Sequence, residues 1–370
     1  MSKLFSPFAL RRLTLENRIM VSPMCQYSAT DGNPGDWHLI HLGQLALGGV
    51  GLLCIEATAV EAIGRISAGC LGLYSDDNEA AFRKLITGLR RFAGTPLAIQ
   101  LAHAGRKGSS HTPWDGGKLM EPSAGGWETI APSALPFSPS EPPPREMTVS
   151  DLDRVRAAFV QAAQRCDRLG IDTIELHAAH GYLLHEFLSP LSNRRSDGYG
   201  GSLENRMRFP LEVFAAVRSV WPEAKPLGVR ISASDWIDGG WDLPQSIELA
   251  RRLKAAGCDW IDASSGGLAP GQKITLVPGY QVPFAEAIRK EVGIATMAVG
   301  LITEPRQAEE IVAAGRADIV ALARGLLFDP HWAWRAAAEL GGEVSAPKQY
   351  WRAPPRGAEA IFRGAKVGMR

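Results

Sequence analysis

From His177 to Arg206 the chain reads HAAHGYLLHEFLSPLSNRRSDGYGGSLENR, which crowds two imidazoles and a phenol, His177, His180 and Tyr182, into one short run. It follows a strand-like stretch, Thr173–His177, so these side chains are expected where a strand gives way to loop. Two imidazoles can donate hydrogen bonds to a carbonyl or nitro oxygen, and a phenol with an ordinary pKa of about 10 keeps a proton to give at pH 7. Together they suit the polarisation and protonation of an electron-poor substrate. Other chemistries compete for the same residues. His177, His180 and His185 could ligate a metal with Glu186 as base, although the spacing is not HExxH and no further carboxylate ligand is placed at another strand exit. Lys107 could instead form a Schiff base.

Positioning such a cluster needs a scaffold, and strand-like and helix-like segments alternate along the whole chain. The strand candidates are 18–24, 51–59, 97–103, 173–178, 227–231, 260–264, 295–300 and 319–323, mostly short apolar runs with β-branched residues. Such runs are typical of parallel strands buried on both faces. Helical segments between them include 151–169, 203–220, 244–256 and 304–314. Asp242 with Gln245 suggests a capping box, and Thr303 before Glu304-Pro305 suggests a helix start. Eight strands with intervening helices and no linker predict an α/β fold, a single-domain (β/α)8 TIM barrel. A doubly wound Rossmann fold is the alternative, but no GxGxxG follows an early strand.

A stretch rich in Pro, Gly, Ser and Trp, 104–147, leaves the third strand and ends near Pro142-Pro143-Pro144. A long loop at that position reads as a functional lid. Barrels of this kind build their sites at strand exits and often bind phosphate after the last two strands. Here those exits are Val299-Gly300 and Ala323-Arg324-Gly325, with Ser264-Ser265-Gly266-Gly267 after the sixth strand. Gly300, the Ala323-Arg324 pair and Ser265 are therefore the phosphate candidates, by backbone N–H groups and the Arg324 guanidinium. Gln100 and His103 near the third exit and Arg230 near the fifth could meet a heterocycle, Arg230 stabilising negative charge of the kind that develops beside N1 of a reduced flavin. An internal salt bridge is the competing role for Arg230. The first strand runs into Ser22-Pro23-Met24-Cys25-Gln26-Tyr27, which offers amides, a polarisable Met and a thiol as a cofactor wall.

These segments resemble the Old Yellow Enzyme family of FMN-dependent ene reductases, in particular its thermophilic-like bacterial subclass, which includes xenobiotic reductases. The resemblance rests on SPMCQY at 22–27, EATAV at 56–60, IQLAHAGRK at 99–107, HAAHGYL at 177–183 and SDGYGGSLENR, and it spans residues 3–352. It implies noncovalent FMN at the mouth of the barrel, reduced by NADPH or NADH visiting the same pocket. Ser22, Pro23, Met24 and Cys25 would flank the ring, with the Cys25 thiol tuning its potential, while Ala57 and Gln100 touch it and Arg230 faces its N1/O2 edge. His177 and His180 would hold the oxygen of an activated alkene, Tyr182 would protonate it, and Tyr27 would line the substrate side. The family binds phosphate at a Gly-Arg pair where this chain has Ala323-Arg324, which keeps a backbone N–H but narrows the space. Gln349-Tyr350-Trp351-Arg352 resembles a tail that enters a neighbouring subunit's site, implying a homodimer or a tetramer built of dimers, with Arg352 at the substrate. On this reading residues 1–352 form the barrel and its interface tail, and 353–370 form an extension. A noncatalytic flavin sensor would leave the proton donor and the oxygen-binding pair without a purpose.

Composition narrows the classes further. Lys plus Arg total 40 against 39 for Asp plus Glu, which offers no electrostatic footprint for nucleic acid or an anionic membrane. No apolar run approaches the ~20 residues of a membrane span, and the N-terminus lacks a signal-peptide core. Five cysteines at irregular spacings suggest neither a disulfide framework nor a metal knuckle, so a cytoplasmic setting is expected.

Overall fold

The computed structural model describes residues 2–366. The chain opens with an antiparallel hairpin, β1 (Phe8–Leu10) and β2 (Leu13–Leu15), and then enters the barrel through β3 (Ile19–Val21), β4 (Leu52–Ala59) and β5 (Leu97–Ala102). An excursion carrying the two-residue strands β6 (Ile130–Ala131) and β7 (Arg145–Glu146) precedes β8 (Thr173–Ala178). The barrel is completed by β9 (Leu227–Ser232), β10 (Trp260–Ser264), β11 (Ala295–Ala298) and β12 (Ile319–Leu322), with β12 pairing back onto β3. All eight barrel pairings are parallel, so the closed (β/α)8 expectation holds.

Around the barrel run α1 (Asp36–Leu47), α2 (Asp76–Arg90), α3 (Val149–Arg168), the short α4 (Leu183–Leu188), α5 (Leu203–Val220), α6 (Leu243–Ala255), α7 (Val282–Val292), α8 (Pro305–Ala313), α9 (Arg324–Phe328) and α10 (Trp332–Leu340). Their inner faces, including Phe82, Phe159, Phe214 and Trp332, pack on the outward faces of the strands in one continuous core. No described helix is long and apolar enough to cross a membrane.

A second, separate core fills the barrel interior. The hairpin plugs its floor, because Leu10 and Leu15 pack there with Met20, Leu52, Trp260, Met297 and Ile319. Trp260 is the bulk of that floor. Its register partner on β9 is Gly228, where a Cβ would come within 2.1 Å of the indole, so only glycine leaves room.

Element ends differ from the sequence expectation for local reasons. The first barrel strand stops at Val21 rather than Met24, since Pro23 has no N–H to give and the Gln26 N–H turns to Glu56 Oε2 at 2.9 Å. Helix α3 starts at Val149 because Thr148 caps it, with reciprocal bonds between Thr148 and Asp151. Only half of the expected box forms at α6. Asp242 accepts the Gln245 N–H, but the Gln245 amide goes to Gly240 O and Arg206. Thr303 does not cap α8; its own N–H donates to Gln307 Oε1 at 3.1 Å.

The tail packs near the strand starts. Val344 pairs with the segment around Phe362, Ile361 and Phe362 are buried, and Ser345 and Arg363 both reach Glu16 ahead of β3.

Candidate active site

Side chains on β8 alternate, so Glu175 and His177 share the inward face while Ile174 and Leu176 join the core behind the sheet. His177 is the register partner of Arg230 on β9, and Arg230 is the partner of Asp262 on β10. Arg230 Nε lies 3.2 Å from Asp262 Oδ2, the internal ion pair that competed with a cofactor role in the sequence. Its Nη atoms take no hydrogen-bond partner among the described residues and remain available at the mouth. On the other flank Gln100 Nε2 donates to Glu175 Oε1 at 2.6 Å. Burial, together with Asp262, pushes Glu175 up to about 8, and burial also raises Asp262 against the pull of Arg230. One guanidinium thus faces two carboxyls of which Glu175 stays protonated at pH 7.

The catalytic candidates do meet. The His177 ring lies 5.1 Å from that of His180 and 5.0 Å from that of Tyr182, each nearly perpendicular to it. Burial, reinforced by Arg230, holds both imidazoles well below their ordinary pKa, so both are neutral. His177 Nδ1 accepts the Ala179 N–H at 3.3 Å, which assigns the proton to Nε2. His180 Nε2 contacts Ser264 Oγ at 2.7 Å. The alternative acceptor for Ser264, Gln281 Oε1, is farther at 3.4 Å and already takes Ser265 Oγ at 2.6 Å. The Ser264 proton therefore goes to His180, leaving Nδ1–H as its donor. Burial raises the Tyr182 phenol well above its ordinary value, so it carries its proton.

Lys107 was missed as part of this cluster. Its Nζ donates to His180 O at 2.8 Å and Gly267 O at 3.0 Å, and burial lowers its pKa to about 8. His185 lies apart, buried behind the mouth against Asp235, and no described group of three His, Cys, Asp or Glu is arranged to hold a metal ion.

The rest of the rim comes from several exits. Pro23, Met24, Cys25 and Tyr27 are half-buried after β3, and Ser22 Oγ is buried with no partner. Contact with Cys70 and burial raise the Cys25 thiol, while the same contact and Ser67 lower Cys70 to about 7. Cys70 has no sequence signal of its own. Ala57 is level with Gln100 across the β4–β5 ladder. Extending the β11–β12 register sets Gly300 beside Leu322, next to Ala323 and the exposed Arg324. Gly300 has φ +113°, and a Cβ there would come within 2.8 Å of the Gln281 amide. Ser265 is turned to Gln281 and so buttresses the Gly300 exit.

The excursion after β5 roofs this mouth. Arg106 ties it down by donating to Leu135 O, Pro136 O and Leu268 O, and Trp114 packs edge-on to Tyr27 at 5.6 Å. Arg352 is exposed on the tail near the floor, away from its own mouth. An orphaned hydroxyl, free guanidinium Nη atoms, small residues along the rim and a glycine-opened exit beside Arg324 fit a flat heterocycle with a phosphate arm, as in FMN.

Comparisons with known proteins bear on the family and the fold. Residues 3–343 match the model of the NADH:flavin oxidoreductase / NADH oxidase family. The chain is 51% identical over 351 residues to an NADPH dehydrogenase of Geobacillus sp. (strain WCH70), covering 94% of this chain and 98% of that one. It is 46% identical over 355 residues to an NADPH dehydrogenase of Listeria innocua, covering 95% and 99%. Among solved structures, morphinone reductase superposes with a TM-score of 0.77 at 28% identity, covering 99% of this chain and 94% of that one. A 2-naphthoyl-CoA reductase in complex with 2-naphthoyl-CoA gives 0.81 at 28%, over 92% of this chain and 52% of the other.

Proposed function

This chain belongs to the NADH:flavin oxidoreductase / NADH oxidase family, and we propose that within it the protein reduces activated C=C bonds of α,β-unsaturated carbonyl or nitro compounds. It is an FMN-dependent NAD(P)H oxidoreductase of the Old Yellow Enzyme type. One observation carries the finer reading: the His177 ring lies 5.1 Å from that of His180 and 5.0 Å from that of Tyr182, and each imidazole has only one ring nitrogen engaged among the described residues.

When bound, FMN would supply the hydride chemistry, with NAD(P)H as its reductant. Ser22, Pro23, Met24 and Cys25 would hold one edge of its ring, Ala57 and Gln100 another, and Arg230 the N1/O2 side. Gly300, Ala323 and Arg324 would bind its phosphate, with Ser265 acting behind Gly300. His177 Nε2–H and His180 Nδ1–H grip the substrate oxygen and draw electron density from the β-carbon. Tyr182 Oη then gives its proton to the α-carbon, and Tyr27 closes the substrate side. The roof formed by the excursion excludes water, which strengthens each of these polar contacts.

Arg352, exposed and unpaired among the described residues, would enter the mouth of a second copy in a homodimer or a dimer of dimers. Five free thiols support a reducing, cytoplasmic setting, and the family resemblance supports xenobiotic alkenes as substrates.

The test is an absorbance spectrum of the purified protein under anaerobic conditions. NADPH should bleach the flavin bands, an enone should restore them, and acid precipitation should release FMN. Flavin that is reduced by NADPH but not reoxidised by any enone or nitroalkene would overturn the ene-reductase reading.

A further inference from the structure

The turn that carries His180 and Tyr182 is held on its backbone by Ser232, Lys107 and His185. His180 has φ +60°, a conformation side-chain-bearing residues rarely adopt, and Gly181 follows at +75°. A Cβ on Gly181 would come within 2.2 Å of Gly267 O, so the turn is pressed against the β10 exit. Ser232 Oγ takes the His180 N–H at 2.9 Å, and Lys107 takes the His180 carbonyl. The Gly181 N–H goes to His185 Nδ1 at 2.9 Å.

His185, on α4, and Asp235, after β9, are both 0% exposed. His185 Nε2 lies 2.9 Å from Asp235 Oδ1, while Asp235 Oδ2 accepts Ser189 Oγ at 2.6 Å and the Trp241 N–H at 2.7 Å. Burial alone would raise this carboxyl, but His185, Ser189 and the Trp241 amide outweigh it and hold it ionised. A bare Nε2 lone pair would be repelled by the carboxylate, and a protonated Nδ1 would oppose the Gly181 N–H. A ring protonated on Nε2 alone turns a proton towards the Asp235 contact and a lone pair towards the Gly181 N–H, the arrangement that both contacts call for.

We propose that the His185–Asp235 pair is a positioning device: by fixing one imidazole tautomer it anchors the Gly181 amide and thereby aims His180 and Tyr182 at the substrate. The inference rests on the ene-reductase reading of those two residues. It differs from a packing role because it depends on where one proton sits rather than on the volume of the ring.

Asp235→Asn separates the two, since it preserves shape. Its amide oxygen would serve Ser189 and Trp241, turning the NH₂ towards His185 and driving the imidazole proton to Nδ1. In ¹⁵N-histidine spectra of the holoenzyme, His185 should carry its proton on Nε2 in the parent and on Nδ1 in Asp235→Asn. Phenol affinity, read from the flavin absorbance change, should fall about tenfold in Asp235→Asn and in His185→Leu, with FMN content retained. His185→Asn keeps an acceptor for Gly181 and should stay within about threefold of the parent. A parent His185 protonated on Nδ1 would overturn the proposal, as would folded Asp235→Asn with unchanged phenol affinity. If Asp235→Asn and His185→Leu do not fold, His185→Asn decides: a tenfold loss there counts against the proposal. His177→Ala is the control. If it too leaves phenol affinity unchanged, the oxygen-binding reading has failed rather than this one.

Discussion

The Lys107 ammonium stands 5.0 Å from the centre of the Tyr182 ring, fixed there by the carbonyls of His180 and Gly267. Burial alone makes the phenolate unfavourable, and a nearby cation offsets part of that penalty as the proton leaves. The ring also stands edge-on to His177 at 5.0 Å. Tyr182 and His177, the proposed proton donor and oxygen-binding imidazole, are thus parts of one assembly.

Tyr182→Phe should slow reoxidation of the reduced enzyme by an enone by about a hundredfold, the scale of a lost general acid, while flavin reduction by NADPH stays within about twofold. Water can replace the phenol in part, so turnover persists. Stopped-flow traces with both half-reactions slowed alike would remove Tyr182 from the donor role.

His177→Ala and His180→Ala should each weaken phenol binding by about tenfold, one hydrogen bond's worth, with FMN still bound. Titration of the flavin bands with phenol measures this. Undiminished affinity in the double variant would free both histidines from the substrate oxygen, and loss of FMN instead would reassign them to the cofactor.

Glu186 provides a pH signature of folding. Its carboxyl is fully buried, with Oε1 on the Arg106 N–H and Oε2 unpartnered, and burial raises it from 4.5 to about 8. The folded state therefore keeps a proton that the unfolded chain releases. Stability from this group is complete below about pH 4.5 and declines as pH rises through about 8. Glu186→Gln should flatten the fall in Tm between pH 5 and 8. An unaltered slope in thermal scans across that range would show that Glu186 is ionised in the fold.

For the tail, Arg352→Ala should raise the enone KM several-fold without changing the size of the assembly, as expected for a group contributed across an interface. Tyr350→Ala should act on assembly instead, because Tyr350 packs edge-on to Trp334 at 5.5 Å and orients the tail. Sedimentation of both variants alongside steady-state kinetics checks this. An Arg352→Ala enzyme with the parent KM would leave the tail outside catalysis.

Strands buried on both faces write themselves as apolar runs, and this is why all eight barrel strands were legible in the sequence. The plug was not, since Phe8–Leu10 and Leu13–Leu15 are too short for alternation to stand out and owe their place to contacts with Trp260 and Met297. His177, His180 and Tyr182 could be found because they are neighbours in sequence. Lys107 and Ser264, which the sequence offered for other chemistry, and Cys70 and Asp235, which it did not single out, could not be placed beside them, because only closure of the barrel brings them to the same turn or rim. Arg230 showed the limit of residue type as a guide. Its ion pair with Asp262 and its free Nη atoms coexist, whereas the sequence posed them as alternatives.

The hairpin beneath the barrel has a kinetic consequence. Leu10, Leu15 and Trp260 seal one end of the barrel, which leaves the end under Trp114 as the way in. On the proposed function, with reductant and alkene sharing that mouth, each would have to depart before the other arrives. Plotted as double reciprocals, initial rates would form parallel lines, and crowding the solution with alkene would stall the enzyme by keeping its electron donor waiting outside.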